Sequence, residues 1–350
     1  MLDQATHIRS GEELNLEALT QYCRQQLPDI TENIEVLQFP SGYSNLTYLL
    51  KMGAQEWVLR RPPFGANIKS GHDMAREYRV LSGLKKVYNN IPTPILLCED
   101  DTILGAHFYI MERVHGIIIR DTLPAELHKE EQLRTLSISA IDNLATIHKL
   151  DIQQAGLENL GRPNGYVERQ ISGWTRRYER SKTELIAQMD TISQWLTKNQ
   201  PSEVAASIIH NDYKYDNLIL DPHTLSIKAV LDWEMATLGC PLMDFGCALG
   251  YWVQEDDPEE MFSLPLSATR YPGNLSRQEA AEQYVEQTGF AIERLDFYYV
   301  YGLWRLAIIL QQIYARYKLG YTKDKRFANL IDGVHILAQR AVQVIQTGNL

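Results

Sequence analysis

The sequence predicts an α+β protein in two lobes, because a strand-rich first third precedes a longer and mainly helical remainder. Strand-forming segments dominate the first 114 residues, and apolar residues at helical spacing dominate the rest. The chain has 350 residues, 45% of them hydrophobic, which exceeds what one minimal core requires. We therefore predict an N-terminal lobe over residues 1–114 and a C-terminal helical lobe over residues 115–350.

The first lobe is predicted to contain mostly strands, since β-branched and apolar residues alternate there between turn signals. One main helix follows the third strand, because Met74, Tyr78 and Leu81 recur at helical spacing. The predicted strands cover residues 34–39, 46–52, 57–60, 95–98 and 108–113, and the predicted helices cover 14–27 and 72–86.

The second lobe is predicted to be helical apart from one strand–loop–strand segment at residues 207–234. This hairpin lies between apolar stripes typical of helices that bury one face. The predicted helices are one that ends near His148, and others at residues 167–178, 183–195, 277–288, 295–317 and 326–346.

Charge and composition exclude several classes of protein. A formal net charge of −10 does not favour nucleic acid or an anionic membrane as a partner. The four cysteines lack the spacing of a zinc site or a disulfide scaffold. No signal peptide or apolar run of about 18 residues is visible, so we expect a cytoplasmic protein. The sequence leaves the oligomeric state open.

The most informative segment is His210-Asn211-Asp212-Tyr213-Lys214-Tyr215-Asp216-Asn217, which lies between two apolar runs. Fifteen residues after Asn217, another apolar run ends in Asp232. Phosphoryl transfer requires one carboxylate to accept or orient the hydroxyl proton, and hard oxygen ligands to hold magnesium. A polar turn is the alternative, although the combined pattern is more specific than a turn requires.

These spacings suggest a role for each polar side chain. Asp212 is the candidate base, and Lys214 could offset charge on the transferring phosphoryl group. Asn217 and Asp232 are the candidate Mg²⁺ ligands, because two antiparallel strands can bring them to the same end of a hairpin. His210 is expected to brace the loop.

The two loops resemble those of the aminoglycoside phosphotransferase and choline kinase family, a branch of the protein-kinase-like fold. The matching residues are His210-Asn211-Asp212 with Asn217, and Leu231-Asp232-Trp233-Glu234. Asn211 departs from the family pattern, which has glycine there. Segments 58–63, 75–81 and 110–114 resemble the kinase-like domain of acyl-CoA dehydrogenase family members 10 and 11. That resemblance implies a soluble, ATP- and Mg²⁺-dependent kinase whose acceptor is a small-molecule hydroxyl, with hydroxyacyl-CoA leading.

The resemblance also assigns an ATP site. Arg60 occupies the strand position where the family has lysine, and Glu77 is the matching helix carboxylate. A surface ion pair is the alternative for these two residues. The main chain of Glu112 and Val114 would bind the adenine edge, and Met111 would pack near the base. The phosphate-covering loop, or alternatively a hairpin turn, would consist of Ser41, Gly42, Tyr43, Ser44 and Asn45.

Several points stay open at this stage. Asp244 is interpreted as a cap of the following helix. A basic and aromatic segment over residues 165–178 would suit a phosphate-bearing acceptor such as CoA, or is a solvated helix face with Trp174 in the core. An acidic run at 255–260 could recruit an amine such as an aminoglycoside or choline, or is a solvated loop. A catalytically inactive kinase-like binding module is the main alternative to an enzyme, and missing motifs argue against a protein kinase.

Overall fold

The chain divides into two compact units. The structure is a computed structural model that describes residues 4–27, 33–40, 45–64, 73–123, 127, 129–322 and 324–350. The first unit comprises Met1–Ile118, Asp151–Leu157 and Asn217–Ala236, and the second comprises the rest. The first unit holds a small antiparallel sheet, and the second is largely helical, which agrees with the predicted α+β class. The predicted boundary after residue 114 stays a prediction.

The first unit is built on a five-stranded antiparallel sheet of order β1-β2-β3-β5-β4. The sheet is covered by α1 (Leu16–Gln26), whose Leu19 and Cys23 join the buried cluster of the strands. This burial fixes the register, because a one-residue slip would expose the apolar face. The strands are β1 (Glu35–Gln38), β2 (Leu46–Met52), β3 (Gln55–Arg61), β4 (Pro94–Cys98) and β5 (Phe108–Glu112).

The main helix of this unit is α2 (Met74–Leu84), which begins where Asp73 accepts a hydrogen bond from the Arg76 amide at 2.9 Å. Such an N-cap satisfies one of the free amides of the first turn. The buried face of α2 carries Val80 and Leu81, and Glu77 lies on the same face. A carboxylate is therefore held in an apolar setting. A second short helix, α3 (Asp101–Leu104), precedes β5.

A hairpin of β7 (Leu218–Leu220) and β8 (Ile227–Val230) also belongs to the first unit. The strands pair antiparallel with Leu218 opposite Val230, and the Leu231 amide donates to the Asn217 carbonyl at 2.8 Å. Asn217 and Asp232 consequently lie at the same end of the hairpin, as the sequence predicts.

The second unit is mainly helical, with one small sheet of β6 (Ser207–Ile209) and β9 (Thr237–Gly239). The predicted helices are present, with ends shifted by a few residues. A further helix over residues 241–251 is not predicted by hydrophobic periodicity, since all of its residues are buried and it shows no polar face. The helices of the remaining chain are α4 (Glu130–His148), α5 (Ile152–Ala155, in the first unit), α6 (Tyr166–Ser181), α7 (Ala187–Lys198), α8 (Pro241–Tyr251), α9 (Arg277–Thr288), α10 (Leu295–Lys318) and α11 (Leu330–Thr347).

Helices α8 and α10 cross at glycines. A Cβ placed on Gly302 would overlap the Gly246 carbonyl oxygen, and one on Gly250 would lie 2.8 Å from the Gly302 carbonyl carbon. Only glycine permits this approach, because the neighbouring atoms are backbone and cannot rotate away. The crossing packs α10 against α8, which in turn contacts β6.

Within the described part of the chain, no helix combines the length and the apolar character that a bilayer crossing requires. The 24-residue α10 is the longest, and it carries arginine, glutamine and tyrosine side chains along its length.

We predict that Gly302→Ala lowers the free energy of unfolding by about 2 kcal/mol, because overpacking outweighs the gain in helix propensity. Gly173→Ala in α6 is the matched control, since an added Cβ there meets no atom within 4 Å. The control should be neutral or stabilising by up to about 1 kcal/mol. Urea unfolding followed by circular dichroism measures both. Equal shifts in the two variants would contradict the close crossing.

Candidate active site

Charged side chains gather in two groups, one within each unit. We call the first the Arg60 cluster, consisting of Arg60, Glu77, Asp232, Glu234 and Asn45. The second, the Asp212 cluster, lies in the second unit and consists of Asp212, Lys214, Tyr251, His210 and Arg305. Each contains residues that the sequence analysis selected, together with others that it missed.

The Arg60 cluster centres on one guanidinium that contacts three carboxylates. Arg60 donates from Nη1 to Glu77 Oε1 at 2.7 Å and from Nη2 to Asp232 Oδ1 at 3.0 Å. Glu234 Oε2 lies 3.6 Å from Nη2 and accepts a hydrogen bond from Asn45 at 2.6 Å. Arg60 is 8% exposed and Glu77 2%, so this is a buried pair and not the surface ion pair that the sequence left as an alternative.

The protonation of this pair follows from burial and neighbouring charge. Burial raises the pKa of Glu77, Arg60 opposes that shift, and Asp232 adds to it. Burial alone would lower the pKa of Arg60, but Glu77 and the other anions hold it well above its ordinary value. Arg60 therefore stays a cation. One guanidinium against three carboxylates leaves a formal surplus of two negative charges, which suits a bound cation.

The end of the β7–β8 hairpin offers oxygen ligands of the kind that Mg²⁺ prefers. The side chain of Asp232 is 31% exposed, and Asn217 supplies an amide oxygen at the same hairpin end. Glu77 Oε2 is buried without a hydrogen-bond partner among the described residues. Within those residues, no three His, Cys, Asp or Glu side chains are arranged to hold a metal. A two-ligand oxygen site fits Mg²⁺, which keeps several waters, and does not fit structural zinc.

The backbone turns sharply at Asp232, whose φ of +66° lies in the left-handed region. This conformation is costly for residues other than glycine and is common at functional sites. Trp233 holds the turn in place, because it is fully buried and its Nε1 donates to the Val230 carbonyl at 2.9 Å. The turn directs the Asp232 carboxylate to Arg60.

Predicted ATP contacts fall partly outside the described residues. Ser41, Gly42, Tyr43 and Ser44 lie there, whereas Asn45 is described and contacts Glu234. The contacts of these residues with ATP stay predictions, and so do those of Met111, Glu112 and Val114. Met111 is buried near the end of β5. The amide of Glu112 donates to the Thr93 carbonyl at 2.8 Å, and Val114 lies half-buried beyond the strand.

In the second unit, Asp212 is held by two donors. Tyr251 OH donates to Asp212 Oδ1 at 2.8 Å, and Lys214 Nζ lies 3.3 Å from Oδ2. Burial alone would raise the pKa of Asp212, but Lys214, His210 and Arg305 lower it below its ordinary value. Asp212 is consequently an anion at neutral pH, and Lys214, whose pKa is raised chiefly by Tyr251 and Asp212 against the effect of burial, is a cation.

The loop that carries Asp212 is fixed by the buried carboxylate of Asp244. The amides of His210 and Asn211 donate to Asp244 at 2.7 Å each, and His148 Nε2 lies 3.1 Å from it. The interpretation of Asp244 as a cap of α8 is wrong, because the N-cap is Cys240 and Asp244 lies inside the helix. Its carboxylate oxygens accept hydrogen bonds from the preceding loop instead.

Asn211 departs from the glycine of the family pattern for a physical reason. Its φ is +67°, a conformation that glycine and asparagine adopt more readily than other residues. Its side chain also accepts a hydrogen bond from Tyr166 OH at 3.2 Å, a contact that glycine lacks. His210 is fully buried, and its Nδ1 faces the Asp212 amide at 3.2 Å, so it braces the loop as expected.

Sequence reasoning missed Tyr251, Arg305 and His148. Each lies at least 30 residues from the Asp212 loop, and each sits in a helix without a local motif. The one available signal was that the α8 segment is apolar apart from Asp244, which is typical of a helix buried on every side.

Comparison with known proteins supports the resemblance. The model of the phosphotransferase enzyme family, APH, matches residues 35–298. Acyl-CoA dehydrogenase family member 11 of Rattus norvegicus is 32% identical over 339 residues, which cover 94% of this chain and 43% of the relative. Family member 10 of Mus musculus is 33% identical over 305 residues, covering 86% and 28%. The chain thus spans less than half the length of these curated relatives.

Solved structures show the same fold. A protein of Ralstonia eutropha assigned provisionally as an aminoglycoside phosphotransferase is 31% identical, with a TM-score of 0.79 over 95% of this chain and 99% of that one. Choline kinase of Cryptosporidium parvum has a TM-score of 0.63 at 15% identity, covering 95% and 97%. Aminoglycoside phosphotransferase APH(4)-Ia, in complex with AMP-PNP and hygromycin B, has 0.58 at 14%, covering 95% and 98%. The predicted kinase-like α+β fold is therefore confirmed.

We predict that Arg60→Met destabilises the protein by about 3–5 kcal/mol, because it strands the buried Glu77 without a cation. Adding Glu77→Leu should recover much of that loss, since the double variant buries no unpaired charge. Urea unfolding of the two variants and the parent measures the difference. If the double variant is no more stable than Arg60→Met, the pairing of Arg60 with Glu77 is not what stabilises this site.

Proposed function

The chain belongs to the phosphotransferase enzyme family, and from that premise we propose that it transfers the terminal phosphoryl group of ATP, with Mg²⁺, to a hydroxyl group of a small molecule. The observation that carries this proposal is the setting of Asp212. It is an ionised carboxylate with a tyrosine hydroxyl at 2.8 Å and a lysine ammonium at 3.3 Å. An ion pair that only stabilises the fold does not require this arrangement around Asp212. Phosphoryl transfer does require an oriented carboxylate beside a cation.

Asp212 would orient the acceptor hydroxyl and take its proton. A carboxylate of lowered pKa is a weak base, so we infer that the proton moves late, when the oxygen is already bonding to phosphorus. The hydrogen bond from Tyr251 fixes the carboxylate and prevents it from turning away. Because the carboxylate is already ordered, less entropy is lost when the transition state forms.

Lys214 would stabilise the charge of the transferring group. It is two residues from Asp212, and its ammonium stays protonated beside Asp212 and Tyr251. The ammonium also lies 4.6 Å from the centre of the Tyr251 ring. These two contacts hold the cation at the loop, so that it need not be ordered during the reaction.

The residues of the Arg60 cluster would bind the nucleotide. Asp232 and Asn217 would hold Mg²⁺, which when bound neutralises charge on the phosphate oxygens. Arg60 would contact phosphate oxygens in place of lysine, since its planar fork can bind two oxygens at once. Glu77 orients that fork through the 2.7 Å hydrogen bond to Nη1.

For the acceptor we propose a hydroxyacyl-CoA, because the curated relatives are named as acyl-CoA dehydrogenases. The alternative is an amine such as an aminoglycoside or choline, which the names of the solved neighbours suggest. One residue of the acidic run weakens that alternative. Asp257 is buried between Arg277 and Arg340 and is not available to an external amine.

We predict that Asp212→Asn lowers the turnover number by about 10²–10⁴-fold while Mg²⁺-dependent ATP binding is retained. Asp232→Asn should instead weaken the binding of Mg²⁺-ATP itself. Asp256→Asn, an equal change of charge in the exposed acidic run, is the control and should alter neither quantity. The measurements are transfer of labelled phosphate to a panel of hydroxyacyl-CoAs, aminoglycosides, choline and sugars, and calorimetric titration with ATP.

Two results would overturn the proposal. Undiminished transfer by Asp212→Asn would remove the role given to that carboxylate. Failure of the parent protein to bind Mg²⁺-ATP would favour the alternative of an inactive kinase-like module.

A further inference from the structure

Arg305 is a buried cation that forms no salt bridge with a described residue. It lies on α10, is 4% exposed, and has the Cys247 thiol as a hydrogen-bond neighbour. The Trp174 ring also lies against it, with its centre 5.1 Å from the guanidinium carbon. Burying an unpaired charge is costly, so such a group usually has a counter-ion. Among the described residues, Asp212 is an anion that acts on Arg305, and Asp212 is already shared with Lys214.

The groups around Arg305 are neutral or already occupied. Burial raises the pKa of the Cys247 thiol to about 11, and the hydroxyls of Tyr251 and Tyr301 are protonated because burial raises the pKa of each. The carboxylate of Asp244, which interacts with Cys247, already receives the amides of the Asp212 loop. The guanidinium of Arg305 can therefore donate hydrogen bonds to a bound ligand.

Arg305 also lies close to Asp212. Cys247 and Tyr251 stand one turn apart on α8, and both interact electrostatically with Arg305. Tyr251 in turn donates to Asp212, whose pKa Arg305 helps to lower. The glycine crossing of α8 and α10 makes this proximity possible. Asp212 faces two cations, Lys214 and Arg305, and Lys214 is also shared with a second carboxylate, Asp216.

Further cations continue from Arg305 along α6. The guanidinium of Arg177 lies 4.4 Å from the centre of the same Trp174 ring, and Arg177 and its neighbour Arg176 are exposed. A positive surface thus extends from Trp174 on the same unit as Asp212. This arrangement favours an anionic molecule over an amine.

We propose that Arg305 is a specificity-determining residue that binds an anionic group, a carboxylate or a phosphate, carried by the hydroxyl acceptor. The proposal rests on the function proposed above and narrows its acceptor class. A guanidinium suits both anions, because its planar donors can bind two oxygens at once. The acceptor would present its hydroxyl to Asp212 and its anion to Arg305.

The test uses two pairs of acceptors that differ in one anion. Hydroxybutanoate and butanediol differ in a carboxylate, and hydroxybutyryl-phosphopantetheine and hydroxybutyryl-pantetheine differ in a phosphate. Steady-state phosphate transfer gives kcat/KM for each compound with the parent protein, Arg305→Gln and Arg305→Lys. Arg316→Gln, which removes an exposed charge from the same helix α10, is the matched control for long-range attraction.

We expect the parent protein to prefer the anionic member of at least one pair, and Arg305→Gln to lose about 10–100-fold of that preference. The pair that responds identifies the anion. Arg305→Lys should keep part of the preference, and it remains informative if Arg305→Gln does not fold. Arg316→Gln should keep nearly all of it.

Equal losses on both members of each pair would give Arg305 a structural role only and overturn the proposal, as would an unchanged preference in both Arg305 variants. If the parent protein transfers phosphate to none of the four compounds, the same compounds are tested for binding by thermal unfolding. Stabilisation by an anionic member that depends on Arg305 would then support the anion site and count against the proposed reaction. Absence of such stabilisation would overturn the anion site itself.

Discussion

The carboxylate of Asp244 is the contact on which the Asp212 loop depends. Two consecutive amides donate to it, and His148 and Tyr284 complete the buried chain of hydrogen bonds from α4 and α9. An acceptor with two oxygens can fix two neighbouring peptide groups at once, so it sets the path of the loop and not only its position. With that path fixed, Asn211 adopts its left-handed conformation, and the next residue, Asp212, is presented beside Tyr251.

The two clusters differ in the ligands that their side chains fit. The Arg60 cluster has more carboxylates than cations, and its oxygen ligands fit Mg²⁺. In the Asp212 cluster, Lys214 and Arg305 both act on Asp212, and these two cations fit the charge of a phosphoryl group and of an anionic acceptor. Charges buried in this way do not favour folding by themselves, so we expect bound ligands to neutralise them.

The sequence predicted those parts of the site that lie in local patterns. The spacing of Asp212, Asn217 and Asp232 predicted the hairpin, and the alternation of β3 placed Arg60 on the buried face that meets Glu77. It could not reveal Tyr251 or Arg305, because both lie far from Asp212 in sequence and are brought to it by the packing of α8 and α10. For the same reason Asp244 was misread as a cap: its true partners, His210 and Asn211, are more than 30 residues away.

Hydrogen exchange at the amides of His210 and Asn211 tests the role of Asp244 most directly. The account predicts slow exchange of both amides in the parent protein, as expected for buried and hydrogen-bonded groups. In Asp244→Asn, where one oxygen acceptor is replaced by a donor, both should exchange at least about 10-fold faster, since a buried hydrogen bond to a charged acceptor contributes roughly 1.5–3 kcal/mol. Amides of β2 should be unchanged. Fast exchange in the parent protein, or equal exchange in the variant, would contradict the account.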